Sequence, residues 1–441
     1  MNKTRLFKKS LLAVTIASTA MASQQAMAAG FQLNAQSATG LGRAFAGDAV
    51  IADNASVMAR NPAAMALFDK TELSLGFETI TSMIEVKDAT YSKTFLDANG
   101  QPVSTPSPST SSANVDDAGD TSIAPNIHLI VPVNEQFAWG VNAYTNFGTK
   151  TEFDNDYVAA EFGGLTDVKS FNFGLAGSYR INEQWSLGAG LDLIYGQGTF
   201  KRAVPGSNST SYLLNVDKAD GWAVGFNLGT VYELNEHNRF GLAYHYSPKF
   251  EAEDDFGQKV TLPLPDMVEF SGFHKIEDTK FAVHYSVQWI GWGDFEKIDF
   301  DNLDSTQSGL AAAGSLYQKD YKWKDGWRYA LGGTYYLNSD WTLRAGYMYD
   351  TSAQDSLTSI SVPDSDRQWF STGFTYHIDN SSNIDFGFTY LLGDDTTVDE
   401  SVTLPTGATG PSPTPVYQHT TINGTTHADA ILLGLQYSRS F

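Results

Sequence analysis

The chain has 441 residues, about three times the commonest domain length, so either several domains or one large closed sheet is expected. Aromatic residues make up 13% of the chain, and 39 glycines stand against 15 prolines, which favours glycine-spaced aromatic strands and excludes a coiled coil or a disordered acidic chain. The formal net charge of -22 argues against nucleic acid as a partner, and the absence of cysteine excludes disulfide scaffolds and thiolate metal sites.

The first 28 residues have the organisation of a secretory signal peptide. Four cations within the first nine residues precede the apolar run from Leu11 to Ala17, and the small-residue segment Ala26-Met27-Ala28 follows. This order is typical of a cleaved export signal, so residues 1–28 are predicted to be removed and the mature chain to begin at Ala29. Beyond this segment the sequence has no apolar run of about 18 residues, so a helical membrane span is not expected.

Residues 29–70 are rich in glycine and alanine and show no regular alternation. The segment from Gly40 to Gly47 has the spacing GxGxxxxG, which differs from that of a dinucleotide-binding loop, and no βαβ pattern surrounds it. Close backbone packing is therefore the favoured interpretation of these glycines. Residues 29–70 are predicted to form a compact unit ahead of the first strand.

Residues 71–441 are predicted to form strands in which every second residue is apolar and the residues between them are small or polar. From Trp185 to Tyr195, for example, tryptophan, leucine, alanine and tyrosine alternate with serine, glycine and aspartate. A soluble sheet would carry lysine and glutamate on its polar face, whereas small residues and amides fit a barrel lumen, with the apolar face toward lipid. The pattern predicts fourteen strands, near residues 71–86, 122–133, 137–148, 168–181, 185–201, 219–234, 239–253, 264–276, 280–293, 325–337, 341–350, 368–378, 383–392 and 428–441.

Short polar turns alternate with long polar connections between these strands, the longest being 87–121, 294–324 and 393–427. This alternation matches a bacterial outer-membrane barrel, with short turns and both termini in the periplasm and long loops outside the cell. A barrel of this size would leave a substantial lumen, so residues 29–70 are predicted to plug it. The expected fold class is an all-β, transmembrane, antiparallel 14-stranded β-barrel with an N-terminal hatch.

Little in the sequence points to catalysis. The eight histidines show no paired ligand spacing and no GxSxG motif occurs, so no enzyme, metal site or cofactor is predicted. His245, His284 and His377 fall on the lumen parity and are expected to line the barrel as polar groups. The alternating C-terminal strand ends at Phe441, which resembles the signal that the barrel-assembly machinery recognises.

Several segments together resemble one protein family. They are the hatch sequence with its tripeptide Asn61-Pro62-Ala63, residues 145–153, 200–203, 316–337 and 361–373, and the terminal phenylalanine. In these segments the chain is similar to the long-chain fatty acid (FadL-like) transporter family of Gram-negative outer membranes. The resemblance runs from the signal peptide to the C-terminus, with divergent long loops.

The resemblance implies a gate in the barrel wall. In that family the third strand is kinked inward to make an opening, and the kink glycine corresponds to Gly148. Asn61, Pro62 and Ala63 of the hatch are then expected to pack near this kink and to take part in gating. The alternative is that Gly148 is an ordinary bulge or strand-end glycine.

The resemblance also implies where a ligand is held. The mature N-terminus, Ala29 to Phe31, is expected close to the high-affinity pocket. The basic residue presented to a ligand carboxylate falls on Arg202, with Lys324 as a second candidate and Lys319 as a third. For each cation the alternative is a loop or rim charge that faces lipopolysaccharide phosphates. Arg202 is favoured because a cation in partly dry surroundings would pair with a carboxylate.

These expectations combine into a hypothesis of passive uptake of long-chain fatty acids and similar hydrophobic molecules. Ligand is captured among the extracellular loops, passes to an interior pocket ending at Arg202 and leaves sideways through the wall at Gly148 after the hatch rearranges. The alternatives are uptake of uncharged hydrocarbons by the same fold and a general porin with an open lumen. The expected partners are the ligand, outer-membrane lipid and lipopolysaccharide, and the barrel-assembly machinery.

Overall fold

The computed structural model describes residues 30–104, 106–205, 211–309, 314–409 and 415–441. The predicted signal peptide, residues 1–28, and Ala29 lie outside these described residues. No helix in the described part of the chain is long and apolar enough to cross a membrane. The described helices are the α-helix α1 (Ala38–Leu41) and the 3-10 helices η1 (Ala55–Ala59), η2 (Pro62–Leu67) and η3 (Trp292–Asp294).

The described strands belong to one antiparallel sheet. They are β1 (Glu72–Leu96), β2 (Ser109–Ser112), β3 (Thr121–Pro132), β4 (Phe137–Tyr144), β5 (Gly148–Glu152), β6 (Leu165–Arg180), β7 (Trp185–Ala203), β8 (Tyr212–Asn235), β9 (Asn238–Tyr246), β10 (Lys249–Glu253), β11 (Lys259–Pro263), β12 (Met267–Lys275), β13 (Phe281–Ile290), β14 (Lys297–Leu303), β15 (Ser315–Asp320), β16 (Gly326–Tyr336), β17 (Trp341–Asp350), β18 (Arg367–Asp379), β19 (Ser382–Gly393), β20 (Thr396–Thr409) and β21 (Pro415–Ser440).

These segments make up fourteen strands of a closed barrel, because several barrel strands are divided in two. The third barrel strand consists of β4 and β5, and the same holds for β9 with β10, β11 with β12, β13 with β14, β15 with β16 and β19 with β20. The short strand β2 pairs with the outer part of β1. The cylinder closes because β1 pairs with both β3 and β21. The predicted strand number and closure are confirmed.

The two faces of the wall differ as the alternation predicts. On β7, the side chains of Leu187, Leu191 and Leu193 point outward and are 44–62% exposed, whereas those of Ser186 and Asp192 point inward and are buried. Outward apolar side chains of this kind form the band that faces lipid.

Aromatic residues at the outer edge of this band donate hydrogen bonds to aspartates across the strand pair. The pairs are Tyr244–Asp266 (2.6 Å), Trp289–Asp325 (3.0 Å), Tyr349–Asp366 (2.5 Å) and Tyr390–Asp429 (2.6 Å). Aromatic rings with a polar edge suit the membrane interface, so these pairs mark the outer boundary of the lipid band. The outer ends of β7 and β8, together with β14, β15 and β20, extend beyond it.

The connections expected as long loops, 87–121, 294–324 and 393–427, are largely β-structure. β1 continues to Leu96, β14 pairs with β15, and β20 forms a hairpin with the outer half of β21. Outside the lipid band both faces of a strand can be polar, so the apolar alternation that marks a strand in the sequence is lost there. The expectation of loops was therefore wrong for these segments, while the short turns at the opposite end were correct.

The third barrel strand is interrupted between Tyr144, where β4 ends, and Gly148, where β5 begins. β4 pairs with β3 on one side and β6 on the other, whereas β5 has a ladder with β6 alone in the described residues. The ladder between β3 and β4 stops at the pair Ile127–Ala143, although β3 reaches back to Thr121. The wall beside β5 therefore lacks a described strand-to-strand ladder.

The hatch, residues 30–70, lies inside the lumen. Most of its apolar side chains are buried in clusters with inward-facing residues of the barrel strands. Buried ion pairs add to this packing: Arg43 contacts Asp48 at 2.6 Å and Asp53 at 2.8 Å, and Arg60 contacts Glu269 of β12 at 3.3 Å. The predicted plug within the barrel is confirmed.

Inward-facing glycines leave the space that the hatch fills. A Cβ on Gly188 of β7 would lie 2.2 Å from the backbone nitrogen of Ala63, and one on Gly229 of β8 would lie 1.9 Å from Oδ1 of Asn61. Asn61 also donates hydrogen bonds from Nδ2 to the carbonyl oxygens of Ala49 (2.8 Å) and Thr230 (3.1 Å). The tripeptide Asn61-Pro62-Ala63 thereby anchors the hatch on β7 and β8.

We predict that Gly188→Val loosens this anchor and destabilises the protein. The new side chain would overlap the hatch backbone, which cannot rotate aside, and overpacking of this kind costs about 1–3 kcal/mol. The urea midpoint of unfolding in detergent micelles measures the effect. Gly177→Val is the control, because the nearest atom to a Cβ at Gly177 is 3.7 Å away. Equal midpoints for the two variants would contradict the packing described.

Candidate functional site

A cavity of about 380 Å³ lies among the extracellular extensions of the strands. Its walls come from the ends of β7 and β8, from β14 and β15, from β20 and from the segment between β17 and β18. Apolar side chains line one part of it and charged side chains another. Phe200 is among the apolar side chains, and Arg202, Lys319, Asp399 and Glu400 are among the charged ones.

Arg202 is a buried cation on the wall of this outer cavity, with 8% of the residue exposed. Its Nη1 donates hydrogen bonds to the carbonyl oxygens of Leu165 (2.7 Å) and Lys201 (2.8 Å), and its Nη2 donates to Oγ1 of Thr166 (2.7 Å). Burial lowers the pKa of the Arg202 guanidinium. No carboxylate in the described part of the chain lies within ion-pair distance of it. A buried charge of this kind is stabilised by an anionic ligand.

Lys319 also lies on this wall, but it already has a partner. Its Nζ is paired with Glu400, whose side chain is only 5% exposed. Burial lowers the pKa of Lys319, but the charge and hydrogen bond of Glu400, together with Tyr321 and Tyr317, outweigh this and raise it overall. Lys319 is therefore a neutralised cation, unlike Arg202.

A second, narrower cavity of about 20 Å³ continues toward the interrupted strand. Phe200 lines both cavities, and Phe147 from the interruption lines the second. Its lining surface is apolar throughout, with Phe250, Leu262 and Leu264 on its far side. An acyl chain could not pass through this volume unless side chains moved.

Phe147 also belongs to a cluster of five aromatic rings beside this cavity. Phe31 lies at their centre, with ring centroids 4.7 Å from Trp292, 5.5 Å from Phe295, 5.9 Å from Trp323 and 6.3 Å from Phe147. Most of these pairs meet edge to face, the geometry that aromatic quadrupoles favour. The N-terminal end of the hatch is thus part of the apolar site.

The same N-terminal residues bond to the interruption of the third strand. The amide of Leu33 donates to the carbonyl of Asn146, and the amide of Gly148 donates to the carbonyl of Phe31, both at 2.8 Å. Gln32 and Phe147 form an antiparallel bridge between these two bonds. The N-terminal segment thereby supplies pairing that β3 does not give to this stretch.

Buried charged groups hold this N-terminal segment in place. Arg328 of β16 donates hydrogen bonds to the side chain and carbonyl of Gln32 and to Oδ1 of Asn34 (3.1 Å). Its Nε lies 3.2 Å from Oδ1 of Asp350, which also contacts Arg367 at 3.5 Å. The charged group of Arg328 is thus compensated within the barrel.

The residues singled out from the sequence fall in different places. Arg202 and Lys319 line the outer cavity, and Phe31 and Gly148 lie at the interruption. Lys324 is separate from them: its side chain is 53% exposed and lies 3.6 Å from Asp355.

The tripeptide of the hatch does not lie where the resemblance implied. Gly188, on which Ala63 packs, is in register with Ser178 of β6 and through it with Ala138, the second residue of β4. Gly148 begins β5 at the other end of the same barrel strand. The expected packing of Asn61, Pro62 and Ala63 beside Gly148 is therefore corrected, because the recess that accepts this turn is made by glycines of β7 and β8.

Several residues of the site were missed from the sequence. Trp292 lies at the end of the predicted strand 280–293, Trp323 lies in the predicted connection 294–324, and Glu400 and Arg328 look like ordinary polar residues of a predicted connection and a strand. A local signal existed for Trp323, because a tryptophan is unusual in an exposed loop. No group of three or more His, Asp or Glu residues able to hold a metal ion occurs in the described part of the chain.

The chain matches the family model described as "Outer membrane protein transport protein (OMPP1/FadL/TodX)" over residues 19–441. A "Long-chain fatty acid transport protein" from Escherichia coli O6:H1 is 34% identical over 441 residues, covering 89% of this chain and 93% of that protein. "Outer membrane protein P1" of Haemophilus influenzae is 34% identical over 479 residues, covering 99% of both chains.

Two solved structures share the fold. A Pseudomonas aeruginosa FadL homologue has a TM-score of 0.76 at 21% identity, covering 94% of this chain and 100% of that one. The Pseudomonas putida toluene transporter TodX has a TM-score of 0.63 at 15% identity, with the same coverage. The match to the family model, together with these relatives, confirms the resemblance. The chain belongs to the OMPP1/FadL/TodX family of outer membrane transport proteins and is a β-barrel of the Gram-negative outer membrane.

Proposed function

We propose that this protein takes up long-chain fatty acids and similar hydrophobic molecules across the outer membrane. The observation that carries this proposal is Arg202, a buried cation without a carboxylate partner in the described residues, at the wall of a cavity that continues into an apolar one. A monocarboxylate with a long tail would fit this site, because its carboxylate can pair with Arg202 and its tail can occupy the apolar cavity. The names of the E. coli and H. influenzae relatives agree with such a role in the outer membrane.

Tight binding alone would retain the ligand. A chain of sixteen carbons gains roughly 0.8 kcal/mol for each buried CH₂ group, so a fully matched tunnel would hold it by about 10 kcal/mol or more. The narrow second cavity avoids this, because the tail can enter it only when Phe31 and its neighbours move. Ligand entry and displacement of the N-terminal segment are then one event.

The ligand leaves sideways into the bilayer. When Phe31 to Leu33 separates from Asn146 to Gly148, the stretch of wall beside β5 loses the pairing that closed it. Asn61, Pro62 and Ala63 take part as the fixed anchor on β7 and β8, which confines the movement to the residues before them. Transport is passive, since transfer from an apolar cavity to lipid needs no large uphill step.

Two further partners belong to this proposal. The exposed aromatic C-terminus at Phe441 fits recognition of the last strand by the barrel-assembly machinery, and the charged outer rim fits contact with lipopolysaccharide. A general porin fits less well because the hatch fills the lumen. Uptake of uncharged hydrocarbons also fits less well, because such a ligand would leave the Arg202 guanidinium without an anionic partner.

We expect Arg202→Met to weaken palmitate binding about tenfold to a hundredfold. A hydrogen bond to a charged group contributes about 1.5–3 kcal/mol, and the substitution removes it while keeping an apolar side chain. Displacement of a fluorescent fatty acid from protein in lipid discs measures the affinity. Hexadecanol, which has no carboxylate, should bind both proteins alike.

Lys324→Met is the matched control for this experiment, because Lys324 is exposed and away from the cavity. It should leave palmitate affinity unchanged. If Arg202→Met binds palmitate as well as the wild type does, or loses palmitate and hexadecanol equally, the carboxylate site is wrong.

A disulfide between Gln32→Cys and Phe147→Cys should stop transport. The two residues form a non-hydrogen-bonded antiparallel pair, whose Cα separation of about 4.5 Å suits a disulfide. The chain has no other cysteine, so the bond is unambiguous. The measurement is the rate at which fluorescent palmitate bound at the extracellular side enters the bilayer of proteoliposomes.

The oxidised double variant should transfer palmitate no faster than protein-free vesicles, and reduction should restore the rate in the same sample. Binding in the outer cavity should persist in both states. Equal transfer rates before and after reduction would exclude the interruption as the exit.

A further inference from the structure

Glu400 is a buried acidic residue on the wall of the outer cavity. It lies on β20, in the hairpin above the lipid band, and turns its side chain inward. Its Oε1 accepts a hydrogen bond from the amide of Ile360 (2.9 Å), and its Oε2 accepts from Oγ of Ser359 (3.2 Å) and from Nζ of Lys319. Both carboxylate oxygens are therefore held in fixed positions.

This arrangement sets the charge of the cavity wall. Lys319 and Glu400 neutralise each other, which leaves the positive charge of Arg202. Glu161, on the same wall, already accepts a hydrogen bond from the hydroxyl of Tyr91 at 2.7 Å. Counted over Arg202, Lys319 and Glu400, the buried wall has one positive charge in excess.

The remaining acids at the cavity, Asp320 and Asp399, are exposed. Water and salt screen charges in such positions much more than they screen the buried groups. They therefore contribute little to the net charge around a headgroup that is enclosed in the cavity.

We propose that Glu400 sets the headgroup charge that the outer cavity accepts, restricting it to a single negative charge. This inference rests on the proposed function, because it assumes that amphiphiles bind with their headgroup at Arg202. A monocarboxylate neutralises Arg202 and leaves the wall balanced. A dianionic headgroup leaves one charge uncompensated and meets the fixed carboxylate of Glu400, so it is rejected.

Glu400→Gln tests this directly. Glutamine keeps the shape: its Oε1 can still accept from the amide of Ile360 and its Nε2 can donate to Oγ of Ser359, while Lys319 becomes an uncompensated cation. The ammonium can tolerate this because about a third of the Lys319 side chain is exposed to water. The wall then has two positive charges in excess.

Three probes with the same sixteen-carbon tail report the result: hexadecanol, palmitate and hexadecyl phosphate, which like other phosphate monoesters carries roughly two negative charges above pH 7. We expect Glu400→Gln to bind hexadecyl phosphate about tenfold or more tightly than wild type, and palmitate only a few-fold more tightly. Hexadecanol affinity should be unchanged. The measurement is displacement of a fluorescent fatty acid in lipid discs at pH 8.

Two controls make the result specific to charge. Asp355→Asn removes an exposed carboxylate that does not line the cavity and should leave all three affinities unchanged. The double variant Glu400→Gln with Lys319→Met removes both members of the pair, restores the excess to Arg202 alone and should recover the wild-type preference. The double variant also keeps the test available if the single variant fails to assemble.

The outcomes separate this inference from the proposed function. If wild type binds palmitate through Arg202 but Glu400→Gln behaves like Asp355→Asn, or if the double variant keeps the phosphate preference of the single one, the role of Glu400 is overturned. If Glu400→Gln changes the affinity for hexadecanol as much as that for hexadecyl phosphate, the effect is one of shape and the role is also overturned. If wild type binds palmitate no better than hexadecanol, the proposed function fails first.

Discussion

Backbone hydrogen bonding is the constraint on which the rest of this structure depends, because lipid offers no partner for a free amide or carbonyl. The interruption between Tyr144 and Gly148 leaves a stretch of the third barrel strand without its neighbour on one side. The N-terminal segment of the hatch supplies bonds there, through Leu33 and Phe31. Since this segment is not part of the wall, it can separate without opening the barrel elsewhere. The proposed side exit with a removable stop rests on this arrangement.

In the proposed mechanism binding and exit are linked because they share side chains. Phe200 lines both cavities, and Phe31 belongs to the aromatic cluster as well as to the backbone bonds that cover the interruption. We propose that a tail entering the narrow cavity displaces Phe147, which packs on Phe31. Ligand therefore favours the displaced state only as far as its own apolar contacts replace those that it breaks. The anchor of Asn61 on Gly229 keeps the remainder of the hatch in the lumen meanwhile.

The strands of the barrel wall could be predicted well from the sequence, whereas only some residues of the candidate site could. Alternation within the lipid band follows from burial on one face and lipid on the other, so the barrel strands and their number could be read from it. The extension of β1 to Leu96 could not, because outside lipid both faces are polar. The resemblance singled out Arg202 and Gly148 as candidates, but the anchoring glycines lie far apart in the sequence from the tripeptide Asn61-Pro62-Ala63 that they accept. The pairing of Lys319 with Glu400 has no local pattern at all.

Amide hydrogen exchange at the interruption tests the central claim most directly. The two amides to follow are those of Leu33 and Gly148, which donate the bonds between hatch and third strand. In protein reconstituted in lipid discs, saturating palmitate should speed the exchange of both amides, while amides of the β1–β21 ladder remain protected. Protection of Leu33 and Gly148 that stays constant or increases with palmitate would contradict the account, because the stop would then remain in place with ligand bound.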